Sequence, residues 1–186
     1  MNLGVTERLE PLLAAVKTFI RDRVMPVDEE FLAEVNKGDR WTLTKRQNEI
    51  LDGLKSAAKK QGLWNFWLTD SKRGSGLSTV EYAYLAEETG RAYLAAEAFN
   101  CSAPDTGNME VLERYGTPEQ KKAWLEPLLN GEIRSAYAMT EPDVASSDAT
   151  NISTSAVLEK GQWRINGEKT YISGAGDSRC KVLIFM

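Results

Sequence analysis

Asn130-Gly131-Glu132-Ile133-Arg134-Ser135-Ala136-Tyr137-Ala138-Met139-Thr140-Glu141-Pro142 is the stretch where the chain changes period. Before Asn130-Gly131, apolar residues recur at helical spacing; after it, they alternate as in strands. The change divides the chain into an all-helical unit over 1–132 and the start of a β-domain over 133–186. The fold class that follows is α+β, with helices first and strands after them.

Upstream of the break, start and stop signals mark the helices. A first helix runs from about Val5 to Met25, where Pro26 is expected to stop it. A second follows Thr44, with Ile50, Leu51, Leu54, Ala57 and Ala58 on one face, and closes on Lys59-Lys60 and Gly62. Ser71-Lys72-Arg73-Gly74-Ser75-Gly76 follows no clear strand and lacks phosphate-loop spacing, so it reads as a plain turn. Ser78-Thr79-Val80-Glu81 is a capping box that opens a helix to about Thr89. Shorter helices cover about Tyr93 to Phe99 and Asp105 to Tyr115. Thr117-Pro118-Glu119-Gln120 opens one more, which stops near Pro127 or shortly after it. Glu81, Glu87, Glu88, Glu97, Glu110 and Glu113 sit on these helices and read as a solvated face.

Downstream, Ile133 to Thr140, Ile152 to Leu158, Gln162 to Asn166 and Thr170 to Ser173 read as short strands. Lys160-Gly161 and Asn166-Gly167 are turn signals, the second being the dipeptide favoured in tight hairpins. Lys181 to Met186 is an apolar run suited to a buried strand. Strands this few, with an apolar run at the chain end, suggest a sheet cut short.

Composition removes several function classes. A net charge of −4 and no Lys/Arg-rich run give no electrostatic footprint for nucleic acid. No apolar run approaches the roughly 18 residues of a membrane span. Met1 to Glu10 shows no secretory pattern, and Leu183-Ile184-Phe185-Met186 is not a peroxisomal signal. With no histidine, Ser-His-Asp and Cys-His nucleophiles and the common zinc sites are excluded. Cys101 and Cys180, without a CxxC, read as reduced buried thiols. Chemistry must therefore rest on carboxylates, hydroxyls, backbone amides or a cofactor.

Two segments carry such groups. In Tyr137-Ala138-Met139-Thr140-Glu141-Pro142-Asp143-Val144-Ala145-Ser146-Ser147-Asp148, a strand breaks at Pro142 and runs into small residues. Small residues let backbone N–H groups approach an anion, and hydroxyls add donors. On residue types alone, a plain strand followed by an Asp/Ser turn is the favoured reading. In Gly167-Glu168-Lys169-Thr170-Tyr171-Ile172-Ser173-Gly174-Ala175, an aromatic and a hydroxyl stand two apart, on one face if the segment is a strand. An aromatic packs on a planar ring and a hydroxyl bonds its edge. Ordinary sheet packing is the plain alternative.

Together, in wording and separation, the two segments resemble the acyl-CoA dehydrogenase family. Further matches stand at Gly62-Leu63-Trp64, Gly74-Ser75-Gly76-Leu77-Ser78, Glu87-Glu88-Thr89-Gly90, Tyr115-Gly116-Thr117-Pro118-Glu119-Gln120-Lys121 and Pro127-Leu128-Leu129-Asn130-Gly131-Glu132, so the resemblance covers nearly the whole chain. Asn100-Cys101-Ser102-Ala103-Pro104-Asp105-Thr106-Gly107-Asn108-Met109 and Val144 to Asn151 resemble the subgroup that animals fuse behind a kinase-like domain, associated with longer, branched or 4-hydroxylated acyl-CoAs.

The resemblance implies an N-terminal helical domain followed by the first strands of an antiparallel β-barrel domain, truncated before a C-terminal helical bundle. It implies FAD as cofactor and acyl-CoA as substrate, oxidised to a trans-2-enoyl-CoA in fatty acid β-oxidation. Tyr137, Met139 and Thr140 would meet the flavin ring. Ser146 and Ser147 would lie by the FAD pyrophosphate, with Ser147 also near the acyl-CoA, and Val144 and Ala145 would also contact the cofactor. Tyr171 and Ile172 would cover the ring, and Ser173 would bond near N5. Tyr171 and Ser173 stand where many relatives have Trp and Thr, and Asp143-Val144-Ala145 replaces a glycine-richer stretch. Altered flavin packing or potential is expected from these changes, not lost binding.

The catalytic base is expected beyond Met186, so this chain alone is expected to be inactive. Glu141 reads as structural, because a base must reach the α-proton within hydrogen-bond distance. An electron-transfer flavoprotein partner and a homo-oligomer, dimer or tetramer, are implied for the full enzyme. The compartment would be the cytoplasm in a bacterium, and the mitochondrion or peroxisome in a eukaryote. An acyl-CoA oxidase relative and a non-catalytic, partner-binding helical module are the alternatives.

Overall fold

The computed structural model describes residues 4–35, 37–68 and 73–186; Met1 to Leu3, and Ser71 and Lys72 of the expected 71–76 turn, lie outside them. Helix α1 (Glu10–Phe19) runs into a π-helical turn (Ile20–Val24) and then α2 (Met25–Ala33). The stop expected at Pro26 does not occur. The Met25 N–H bonds the Ile20 carbonyl, five residues back, so the register has already slipped by one where Pro26 brings no N–H.

Reciprocal caps start α3 (Lys45–Lys60): Thr44 N–H donates to Gln47 Oε1 at 2.9 Å, and Gln47 N–H to Thr44 Oγ at 3.2 Å. Its buried face is Ile50, Leu51, Leu54 and Ala58, and Gly62 closes it at φ +70°. The same device, through Ser78 and Glu81, starts α4 (Thr79–Thr89). Next come α5 (Ala95–Ala98) and α6 (Asp105–Tyr115). Thr117 and Gln120 cap α7 (Pro118–Gln120), which passes through a second π-helical turn (Lys121–Leu125) into α8 (Glu126–Leu129). Pro127 follows that turn as Pro26 follows the first. The core of this helical layer centres on Phe99, whose ring lies 5.2 Å from Phe19 and 5.5 Å from Phe66.

The solvated glutamate face holds only in part. Glu87 and Glu110 are exposed, but Glu81 and Glu88 are buried. Glu81 accepts from Thr6 Oγ and Arg8 Nε, each at 2.7 Å, and Glu88 pairs with Arg91 at 2.8 Å and Lys17 at 3.5 Å. Glu97 faces Lys55 at 3.0 Å, Arg134 at 2.5 Å and Arg179 at 2.6 Å. Burial of a carboxylate is tolerable where cations and donors surround it. Arg91 is three residues from Glu88, but the other partners lie far along the chain, where helical periodicity gives no sign of them.

The strands are β1 (Arg134–Ala138), β2 (Ser155–Glu159), β3 (Gln162–Asn166) and β4 (Cys180–Phe185). Antiparallel pairing, expected throughout, holds for β2 with β3, whereas β1 and β4 run parallel. Parallel pairing needs a long crossover, and the chain from Ala138 to Cys180 supplies one. The hairpin turn is Lys160-Gly161, at φ +52° and +80°, both positive as a type I′ turn requires. Asn166-Gly167 is not a hairpin: a Cβ at Gly167 would collide with the Thr154 side chain, so glycine serves a close approach there.

Nor is Thr170 to Ser173 a strand; Tyr171 sits at φ +53° and turns the chain. The run over Lys181 to Met186 forms β4 but is not buried, with Leu183 46% and Phe185 42% exposed. Only the face carrying Val182 packs on the helical core. Both cysteines are free thiols, Cys101 buried and Cys180 half-buried. No described helix is long and apolar enough to cross a membrane.

Candidate functional site

Where β1 ends, the chain folds into a groove of about 830 Å³. Tyr137, Met139 and Thr140 form one wall as the strand runs out. Val144, Ser146 and Ser147 form a second, and Tyr171, Ile172 and Ser173 a third. Ala103 and Pro104 complete the lining. Of the expected site residues, only Ala145 does not line it; it is exposed, and its carbonyl accepts from the Asp148 N–H at 3.2 Å.

Glu141 anchors the first two walls. Its N–H donates to Ser146 Oγ at 2.7 Å. Its carboxylate accepts from Ser153 N–H at 2.8 Å, Ser153 Oγ at 2.6 Å, Thr154 N–H at 2.9 Å and Lys169 Nζ at 2.8 Å. Lys169, with the Ser153 hydroxyl, holds the Glu141 carboxyl well below the usual carboxylate range. Glu141 is thus a committed, ionised acceptor with no capacity left to take a proton from a substrate. Lys169 also donates to the Met139 carbonyl at 2.9 Å, and the Thr170 N–H to the Thr140 carbonyl at 2.9 Å.

Ala103 and Pro104 owe their place to the start of α6. Asp105 accepts from Ser135 N–H at 2.7 Å and Ser135 Oγ at 2.6 Å, and it pairs with Arg134. Asn108 Nδ2 donates to the Ala136 carbonyl at 3.0 Å. These bonds staple α6 to β1 and bring the residues before the helix against the groove. Sequence reasoning did not assign these two residues to the site. The available signal was Asp105 and Asn108, polar residues three apart on a helix that also buries Met109 and Leu112.

The lining contains no acidic or basic side chain. Met139, Val144 and Ile172 are half-buried and give an apolar surface, while Tyr171 is 91% exposed at the rim. Thr140, Ser147 and Ser173 are exposed and carry hydroxyls. Among the described residues, the backbone N–H groups of the same three find no protein acceptor. Such a surface suits a planar ring with a polar edge, and its donors suit carbonyl or phosphate oxygens. No group of acidic or cysteine side chains among the described residues could hold a metal. Burial pushes the Cys101 thiol up to about 11, so it is protonated and inert.

The sequence matches the acyl-CoA dehydrogenase N-terminal domain over residues 6–132 and the middle domain over residues 136–186. Acyl-CoA dehydrogenase family member 11 of Pongo abelii is 47% identical over 185 residues, covering 97% of this chain and 23% of that protein. The chain therefore spans less than a quarter of that curated relative. A structure from Mycobacterium abscessus assigned to the acyl-CoA dehydrogenases superposes with a TM-score of 0.89 at 50% identity, over 98% of this chain and 46% of that one. An acyl-CoA dehydrogenase of Bacillus anthracis solved in complex with FAD superposes at 0.63 and 26% identity, over 98% of this chain and 28% of that one. The three walls of the groove come from the middle-domain match and the rest of its lining, Ala103 and Pro104, from the N-terminal one, and the chain belongs to the acyl-CoA dehydrogenase family.

Proposed function

We propose that the groove holds the isoalloxazine of FAD, within an enzyme that oxidises an acyl-CoA thioester to a trans-2-enoyl-CoA. The observation that carries this reading is the convergence of three separated segments on one uncharged groove with an apolar floor and unengaged donors. The FAD-bound Bacillus anthracis relative supports the choice of cofactor. FAD supplies the acceptor for the substrate's β-hydrogen, which leaves as hydride.

In this reading Tyr171 lies over the ring, and Met139 and Ile172 present apolar surface to it. Tyr137 flanks them. The Thr140 and Ser173 hydroxyls and N–H groups donate to the ring's polar edge, and preorganised donors of this kind stabilise charge that builds there. Ser146 and Ser147 serve the pyrophosphate, Ser147 also the acyl-CoA, with Val144 and Ala145 keeping the loop small. Because no acidic side chain lines the groove and Glu141 is fully engaged, the α-proton goes to a carboxylate outside these residues. An electron-transfer flavoprotein then receives the electrons, and the whole enzyme assembles as a homo-oligomer.

Equilibrium titration of the chain with FAD, followed by flavin fluorescence, tests the site. Saturable quenching with one FAD per chain is expected. A chain folded by circular dichroism that shows no saturable binding overturns the assignment.

A further inference from the structure

We propose that Lys169 is a positioning residue: its ammonium fixes the spacing of the three walls of the groove. The inference rests on the reading of the groove as a flavin site, but the geometry behind it does not. The Nζ atom lies 2.9 Å from the Met139 carbonyl and 2.8 Å from Glu141 Oε1. Met139 belongs to the first wall. Glu141 leads to the second, because its N–H is bonded to Ser146 Oγ. Lys169 itself leads to the third, two residues before Tyr171, and the neighbouring Thr170 N–H ties back to Thr140. All three walls thus meet at one ion pair.

That pair is dry. The Lys169 side chain is 5% exposed and that of Glu141 is 2% exposed. The ammonium also stands 5.2 Å from the centre of the Phe185 ring, so a fourth segment, β4, closes over it. A buried ion pair whose remaining lone pairs are all satisfied is rigid, because any displacement strips a charge of its partners. Lysine suits the place: a compact point charge directs separate donors at a carbonyl and a carboxylate, where a planar guanidinium fork would need a wider gap. Lys169 does not line the groove, so it acts on a bound ring only through Met139, Ser146 and Tyr171.

The test compares the chain with Lys169→Met, using two readings. The first is amide hydrogen exchange at Thr170, whose N–H bonds Thr140 across the walls, with Leu85 in the helical core as control. Exchange at Thr170 is expected to speed up by at least about tenfold while Leu85 stays protected. The second is FAD affinity and the visible spectrum of the bound flavin, expected to weaken by about tenfold and to shift, since binding is lost when groups must be ordered by the ligand. Unchanged exchange at Thr170 in a folded variant overturns the proposal, whether or not FAD affinity changes. Faster exchange in a chain that binds no FAD, even as wild type, upholds the positioning role and removes the flavin reading instead. Should Lys169→Met fail to fold, Lys169→Arg takes its place: the charge is kept, and a smaller, several-fold rise in Thr170 exchange is expected. Exchange equal to wild type in that variant overturns the proposal.

Discussion

Tyr171 shows how a residue can be read correctly as part of a site and wrongly as part of a strand. Two-residue spacing put Tyr171 and Ser173 on one strand face, and both do line the groove. They do so from a turn, with Tyr171 at φ +53°, where an aromatic side chain is strained by roughly 1–2 kcal/mol. Its ring, 91% exposed, returns almost no packing within the chain to offset that strain. Tyr171→Gly therefore separates fold from binding. Relief of the strain and the extra chain entropy of glycine, about 0.5–1 kcal/mol, oppose each other, so stability should change by less than about 1 kcal/mol. FAD affinity should fall about tenfold, the worth of a stacked ring of roughly 1 kcal/mol or a little more. Urea unfolding and FAD titration of the same variant check the two halves. A loss of stability matching the loss of affinity would show that the ring holds the fold and not the ligand.

At the scale of elements, capping chemistry was legible, while the stop expected at Pro26 did not occur. Ser78 with Glu81 and Thr117 with Gln120 close as capping boxes where their spacing says they should, because a cap needs only four consecutive residues. Thr44 belongs with them in the structure, where Gln47 completes its cap. Thr44→Ala should destabilise the chain by about 1 kcal/mol in urea unfolding, the usual worth of a lost N-cap. Pro26 misled because a proline stops a regular α-helix but not one that has slipped into a π-turn just before it. Asn166-Gly167 misled in the same way. The dipeptide permits a hairpin, but the demand for a missing Cβ came from Thr154, which no local reading connects to it.

Across the whole molecule, Glu97 joins the helical layer to the strands. From α5 it meets Lys55 of α3, Arg134 of β1, and Arg179 just before β4. Burial raises the Glu97 carboxyl, but Arg134, Lys55 and Arg179 more than cancel that and bring it down to about 2. A carboxyl whose folded value lies below its ordinary 4.5 stabilises the fold above pH 4.5, and that contribution drains away as pH falls toward 2. Thermal melts of the wild type should therefore weaken steeply across this window, and Glu97→Gln should flatten the slope. At pH 7 the variant should lose roughly 2–3 kcal/mol, less than for a fully buried pair because the Glu97 side chain keeps 17% exposure. An identical acid profile in wild type and variant would mean that other carboxylates carry the dependence.

What the sequence determined by itself was whatever depends on neighbours along the chain: the break of period near Asn130-Gly131, the capped helix starts, the Lys160-Gly161 turn, and the two segments whose wording marks the family. Tertiary structure alone decided the parallel pairing of β1 with β4, the burial of Glu81 and Glu88, the three cations around Glu97, the entry of Ala103 and Pro104 into the groove, and the meeting of its walls at Lys169. The physical reason is the same in each case. A carboxylate is buried, or a strand paired, according to a partner many residues away, and local propensity carries no record of that partner.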